Sequence, residues 1–308
     1  MKAINTPSFS ILTLAFIVFL AFVNSGISAQ ELNDNKVASS ISHFKIHEKG
    51  KWFVTWGYNR SWYENSDIHF TGQGHDFILY NVVAKDRPSP LNLDYVNPTT
   101  WSTPQFNFRI GLFLSDKYSV SIGWDHMKYV ALNYQKLQMY GHLDPSKVPD
   151  PIMKTNMETT NATYAPNGLY NYAEVIMDPE TFLSYEHTDG FNYATVDLER
   201  YNKLWQSAKF NKLAVTIVTG VGAGIIVPRT DACLFGSGRN HFWNIAGWGA
   251  NAKIGLELNI FKNIYLQSDL KCGYVQMNDV HTSNHYNIDK AQQSIVFYEN
   301  SWLLGFRF

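Results

Sequence analysis

Charge is scarce in this chain. Asp, Glu, Lys and Arg make up 17% of 308 residues and nearly cancel, leaving a net charge of −1. Soluble domains average nearer a quarter charged, and a chain with no basic surplus is a poor partner for nucleic acid. Cysteine is scarcer still: Cys233 and Cys272 are the only two, too few for a disulfide framework. Cys272 falls on the apolar side of an expected strand, where an inert thiol, buried or facing lipid, is the simplest reading. After residue 29 no long apolar run remains, which excludes a membrane-spanning helix from the mature chain.

The one apolar run sits at the start. Lys2 precedes the stretch Ile11 to Val23, and Ile27-Ser28-Ala29 follows as a small-residue cleavage site. This is the pattern of a secretory signal peptide over residues 1–29, which leaves 30–308 as a single domain. No cysteine follows the apolar run, so lipoprotein processing is not expected.

Aromatics are plentiful, 15% of the chain with 18 Tyr and 9 Trp, and they fall within segments of period two. Residues on a strand alternate faces. In the last seventeen residues, QQSIVFYENSWLLGFRF, one face carries Val296, Tyr298, Asn300, Trp302, Leu304, Phe306 and Phe308. The other carries Phe297, Glu299, Ser301, Leu303, Gly305 and Arg307, with Phe297 and Leu303 as misfits among charge and small residues. The same alternation marks Lys51 to Tyr58, Gln105 to Ser115, Tyr118 to Asp125, Trp248 to Ile260 and Ile264 to Tyr274. Strand character also returns at Asn192 to Leu198 and at Leu213 to Ile226. Ile68 to Ala84 reads as a strand region that is apolar on both faces. From about Leu132 to Thr188 no period is sustained and five prolines intervene, so a very long loop is expected there.

Short turns near 116, 205 and 262 alternate with long connections near 93, 160, 235 and 285. Counting back from a C-terminus on the short-turn side gives ten strands if Ile41 to His47 is one of them, or eight if strands have been invented near the start. Signal sequence, alternating strands, long connections and the terminal Phe-Arg-Phe resemble Gram-negative outer-membrane β-barrel proteins. That resemblance implies a closed antiparallel transmembrane barrel with long extracellular loops and short periplasmic turns. It also implies an outer-membrane location among lipid and lipopolysaccharide. Trp302, Leu304, Phe306 and Phe308 would then form the signal read by the barrel-assembly machinery.

A soluble, secreted ligand-binding barrel also alternates, with its faces exchanged. The charges argue for membrane. Arg109, Asp125, Lys253, Glu257, Asp269, Lys271 and Glu299 share faces with glycines and small polar residues, while the opposite faces are bulky and almost uncharged. Lipid demands such an outer face. In a narrow lumen the inner charges pair into a network that fills it, so a plugged barrel without enzymatic activity is expected, its loops available to an extracellular partner or to lipopolysaccharide. A selective conduit is the alternative.

Three polar clusters lie at the outer strand ends: Asp125-His126-Met127-Lys128, Glu186-His187-Thr188-Asp189-Gly190 and Arg229-Thr230-Asp231. His126 and Lys128 have the parity of the lipid face. A lipid A-modifying hydrolase or acyltransferase would need a His base, an acid and a nucleophile in contact, with His126, His187 and Asp189 as the catalytic candidates. No serine is set beside His126 by spacing, and a structural rim is the plainer reading. Asp279, His281 and His285 have metal-binding side chains but no fixed spacing, so neither a metal nor a cofactor is expected. Asn161-Ala162-Thr163 matches a glycosylation sequon that carries little meaning in a bacterial chain.

Overall fold

The computed structural model of the chain describes residues 45–90, 92, 104–210, 213–239, 241–285 and 287–308. The expected signal peptide, residues 1–29, lies outside them. Among the described residues there are fourteen strands and one α-helix. In chain order the strands are β1 (Trp52–Tyr63), β2 (Ser66–Gly72), β3 (His75–Val82), β4 (Ala84–Lys85), β5 (Phe106–Phe113), β6 (Tyr118–Ala131) and β7 (Lys136–Leu143). The helix α1 (Pro151–Tyr164) follows, then β8 (Leu169–Ile176), β9 (Leu183–Gln206), β10 (Ala214–Leu234), β11 (Phe242–Trp243), β12 (Gly247–Asn259), β13 (Ile264–His281) and β14 (Lys290–Arg307).

Eight of these strands close a ring in the order β1-β5-β6-β9-β10-β12-β13-β14, with β14 pairing back to β1. Every pairing in it is antiparallel. Closure leaves no backbone donor facing hydrocarbon, the condition for crossing a bilayer with strands. The ring holds eight strands, the smaller of the two counts drawn from the sequence. Residues 41–44 lie outside the described residues, and 45–47 are not strand. Ile68 to Ala84 is not a barrel strand but mostly the hairpin β2–β3, turning at Gln73-Gly74 with Gly74 at φ +80°. One of its apolar faces has a physical reason: Ile68, Phe70, Phe77 and Leu79, paired across the hairpin, are buried in a core that continues into the outer ends of the ring strands.

The long loop expected over 132–188 is ordered. It contains β7, α1 and β8, and β9 has begun by Leu183. Asp150 caps α1 by accepting from the Ile152 and Met153 amides at 2.9 Å each, with Pro151 in the first turn. Both are strong start signals. The helix body hides itself, because its four threonines lower helix propensity. Each threonine hydroxyl donates to the carbonyl four residues back, as Thr159 does to Thr155. At its outer end β14 pairs with β2, and the sheet continues through β3 and β7 to β8. This sheet, α1 and the outer ends of β6, β9, β10, β13 and β14 enclose one apolar core that includes Phe77, Met139, Met157, Tyr185, Phe235 and Phe297.

Candidate functional site

The eight-strand ring puts two chemistries on its two faces. Outward, Leu256 is 55% and Leu270 61% exposed; their chain neighbours Glu257 and Lys271 point inward at 0% and 5%. A soluble barrel would have these faces exchanged. Trp52, Trp205 and Phe308 stand exposed at the short-turn end, and Trp62 and Trp248 at the other. An apolar band between aromatic girdles is the signature of a membrane-spanning barrel. Asn300, a polar residue on the outer face of the last strand, donates its amide to the Asp269 carbonyl at 3.0 Å. Trp302, Leu304, Phe306 and Phe308 are all exposed on this face. Cys272 and Cys233 are free thiols of intermediate exposure.

Inside, the lumen is wired by ion pairs, and each central cation bridges two carboxylates. Arg109 donates to Asp125 at 2.9 and 3.1 Å and lies 3.6 Å from Asp197. Lys253 pairs with Glu199 and lies 3.5 Å from Asp269. Lys271 pairs with Asp125 and, at 2.7 Å, with Glu299. The Asn107 amide donates to Asp125 at 2.6 Å and Glu299 at 2.8 Å, and accepts from Asn59 at 2.6 Å. Toward the short-turn end Arg307 pairs with Glu257, donates to Asn259 at 2.5 Å and lies 3.8 Å from the centroid of the Tyr265 ring. His47 lies 2.9 Å from Glu257 and packs on Tyr201. The inward glycines make this possible. A Cβ on Gly123 would collide with the Arg109 guanidinium, and one on Gly305 with the Tyr265 ring.

Arg109, Asp125, Lys271 and Glu299 therefore form one bonded set, Lys253 and Asp269 belong with Glu199 to a second, and Glu257 belongs to a third at the short-turn mouth. Sequence reasoning missed Asp197, Glu199 and His47. The first two share the parity of Tyr193 and Thr195 on β9, a readable signal; nothing local marks His47, 210 residues from its partner.

At the outer rim, the ladder β6–β9–β10 aligns the three polar clusters without assembling a catalytic triad. Asp125 turns into the lumen. His126 is buried rather than lipid-facing: its ring stacks on Phe106 and its Nδ1 lies 2.7 Å from Asn192. A register shift between Met127 and Tyr129 ends the parity that placed Lys128 in lipid, and Lys128 is buried too, donating to the Ser89 hydroxyl at 2.9 Å. Burial lowers its pKa below the ordinary lysine value. His187 is wholly buried, bonded through Nδ1 to Thr230 at 3.1 Å, and burial pushes its pKa down to about 3. Asp189 pairs instead with Arg229 at 3.3 Å and lies 3.7 Å from His241.

Lys128, Glu186, Asp189 and Asp231 line a cleft of about 380 Å³ with Arg87 and Arg239. Its charges are matched across it, Arg87 to Glu186 and Arg239 to Asp231, each at 3.4 Å. Burial raises the Asp231 pKa. His281 lies 3.7 Å from Asp279, and no cluster of three metal-binding side chains occurs among the described residues. Asn161 of the sequon is buried in α1, donating to the Leu143 carbonyl at 3.2 Å and accepting from the Tyr170 hydroxyl at 2.9 Å.

No protein-family model matches the chain, and no curated protein does. In structure it is similar to the outer membrane protein OprG from Pseudomonas aeruginosa, with 9% identity and a TM-score of 0.42, covering 85% of this chain and 97% of OprG. Neisserial surface protein A shares 6% identity at a TM-score of 0.33, covering 84% and 100%. Ail, the attachment invasion locus protein of Yersinia pestis, shares 10% at 0.32, covering 85% and 100%. These three are Gram-negative outer-membrane β-barrel proteins, and in fold this chain resembles them.

Proposed function

We propose that this outer-membrane barrel is a sealed, non-enzymatic membrane anchor that carries a folded cap for contact with something outside the cell. The observation behind the sealed lumen is its filling. An eight-stranded barrel has an interior just wide enough for side chains, and here ion pairs occupy the middle while Phe297, Ile295, Tyr193 and Met277 pack the outer end. Buried charge without partners is costly, so pairing within the barrel favours holding the lumen shut over passing ions. The outward Trp302, Leu304, Phe306 and Phe308 fit recognition by the barrel-assembly machinery, with lipopolysaccharide against the outer aromatic girdle.

Against a lipid A-directed enzyme stands the dispersal of its candidates. His126, His187 and Asp189 each hold a different partner, and among the described residues no acid bonds to either histidine. Mass spectra of lipid A from cells with and without the protein test this. No change in acyl or phosphate content is expected. A change abolished by His126→Ala, His187→Ala or Lys128→Met, in variants that still insert, would reverse the reading.

A further inference from the structure

The outward face of the cap sheet carries three neighbouring tyrosines. Tyr172 of β8 lies between Tyr80 of β3 and Tyr140 of β7, at ring-centroid distances of 5.5 and 5.3 Å. Tyr140 and Tyr172 are each 47% exposed. Large aromatic rings left together in water on a folded surface are unusual, and such patches mark binding sites. They stand on the far side of the sheet from the apolar core, so packing does not account for them.

Two irregularities build the patch. The β2–β3 ladder shifts register between Ser66 and Ile68, with Asn81 at φ +57°. The β7–β8 ladder shifts between Met139 and Tyr140, with Tyr172 itself at φ +57°. A bulky residue in the left-handed region is strained, and such strain persists where the surrounding structure enforces it, often at ligand-binding positions. Each bulge breaks the alternation and leaves an asparagine exposed beside a tyrosine: Asn81 next to Tyr80, and Asn171 next to Tyr172. The side-chain amides of Gln138, cross-strand from Tyr80, and of Asn171 are exposed and bond to no described residue.

The charges around the rings define the ligand. Lys136 is the only lysine or arginine on the outward face of β2, β3, β7 and β8, and Glu174 holds it at 2.9 Å. On the other flank His69 and Asp76 pair at 2.7 Å. An acidic ligand would find no free cation here. The one carboxylate there without a cation, Asp67, accepts from the Asn81 backbone amide at 2.8 Å and adds an acceptor of the kind that sugar hydroxyls use. What remains is aromatic faces interleaved with amide donors and acceptors and this single carboxylate.

We propose that Tyr80, Tyr140 and Tyr172 form a platform for a neutral glycan. Sugar rings lay their C–H faces on the tyrosines, and their hydroxyls bond to Gln138 and Asn171. The inference deepens the proposed role of the cap and rests on its placement outside the cell.

The test uses the whole protein in lipid nanodiscs on a printed array of neutral oligosaccharides, with sulfated and uronic-acid glycans as charged controls. Binding to at least one neutral glycan is expected, followed by calorimetry on that sugar. Tyr140→Ala and Tyr172→Ala should each weaken it about tenfold, and Tyr140→Phe should stay within about threefold, since the ring face makes the contact. Tyr172→Gly, which suits the left-handed backbone, should lose binding while keeping the heat-modifiable fold, and Tyr134→Ala, an exposed tyrosine off the patch, should change nothing. Binding to no neutral glycan, to charged glycans alone, or with equal loss in Tyr134→Ala would overturn the proposal. So would saturable binding of a protein that competes at Tyr140 in the absence of any sugar. Protease accessibility of the cap on whole cells is read separately, so a misplaced cap and a failed platform give different results.

Discussion

Replacing Lys271 by methionine removes the cation that joins Asp125 to Glu299 while keeping most of the aliphatic stem, so little cavity is made. The loss falls unevenly. Asp125 keeps two hydrogen bonds from Arg109, at 2.9 and 3.1 Å, and one from Asn107. Glu299 keeps only the Asn107 amide at 2.8 Å and becomes an unpaired carboxylate with 1% of its surface exposed. Stranding one member of a buried pair costs about 3–5 kcal/mol, and that is the destabilisation expected of Lys271→Met. Adding Glu299→Gln removes the stranded charge and should restore more than half of it. The resulting coupling, at least about 1.5 kcal/mol, belongs to groups in direct contact. Urea unfolding of the barrel in phosphatidylcholine vesicles, followed by tryptophan fluorescence, reads these two variants and Glu299→Gln alone. A cost below about 1 kcal/mol with no coupling is how a water-screened pair behaves. It would mean that the lumen is wet.

Two further outcomes probe the cap and the assembly signal. His187 has a folded pKa of about 3 against an ordinary 6.5. Below pH 6.5 the unfolded chain therefore takes up a proton that the folded cap refuses, and stability is lost as pH falls. At pH 5 the loss is about 2 kcal/mol; hydrogen exchange in β9 should accelerate to match, and His187→Phe should flatten the dependence. Deleting Phe308 should lower the heat-modifiable, membrane-inserted form and raise periplasmic degradation; unchanged insertion would remove the terminal strand as assembly signal.

The membrane-spanning half of the fold is legible in the sequence because lipid and lumen select opposite residues at every second position. On β14 the outer and inner sets separate as written, and the misfit Phe297 has a place inside, over the space that Gly273 leaves empty. The outer half is not legible by the same rule. There one face meets a core and the other meets water, bulges shift the parity at Met127 and Tyr140, and β2 and β3 are not ring strands at all. β7 does alternate, with Leu137 and Met139 buried against exposed Lys136 and Gln138, but its few residues are lost among flanking prolines. The Asp150-Pro151 start of α1 is a usable signal that four threonines obscure. Of the lumen network, the identity and facing of the charges follow from parity. Which cation meets which carboxylate depends on stagger around the ring, which the sequence does not state.

The sealed lumen is tested most directly by single-channel recording of the purified full chain in a planar bilayer in molar potassium chloride. Insertion is verified by heat-modifiability of the recovered protein. If the ion-pair network and the aromatic packing above it close the barrel, inserted protein gives no unitary conductance above the bare bilayer. Stable unitary steps, with ion selectivity altered by Lys271→Met, would contradict the account and make the same residues the lining of a conduit.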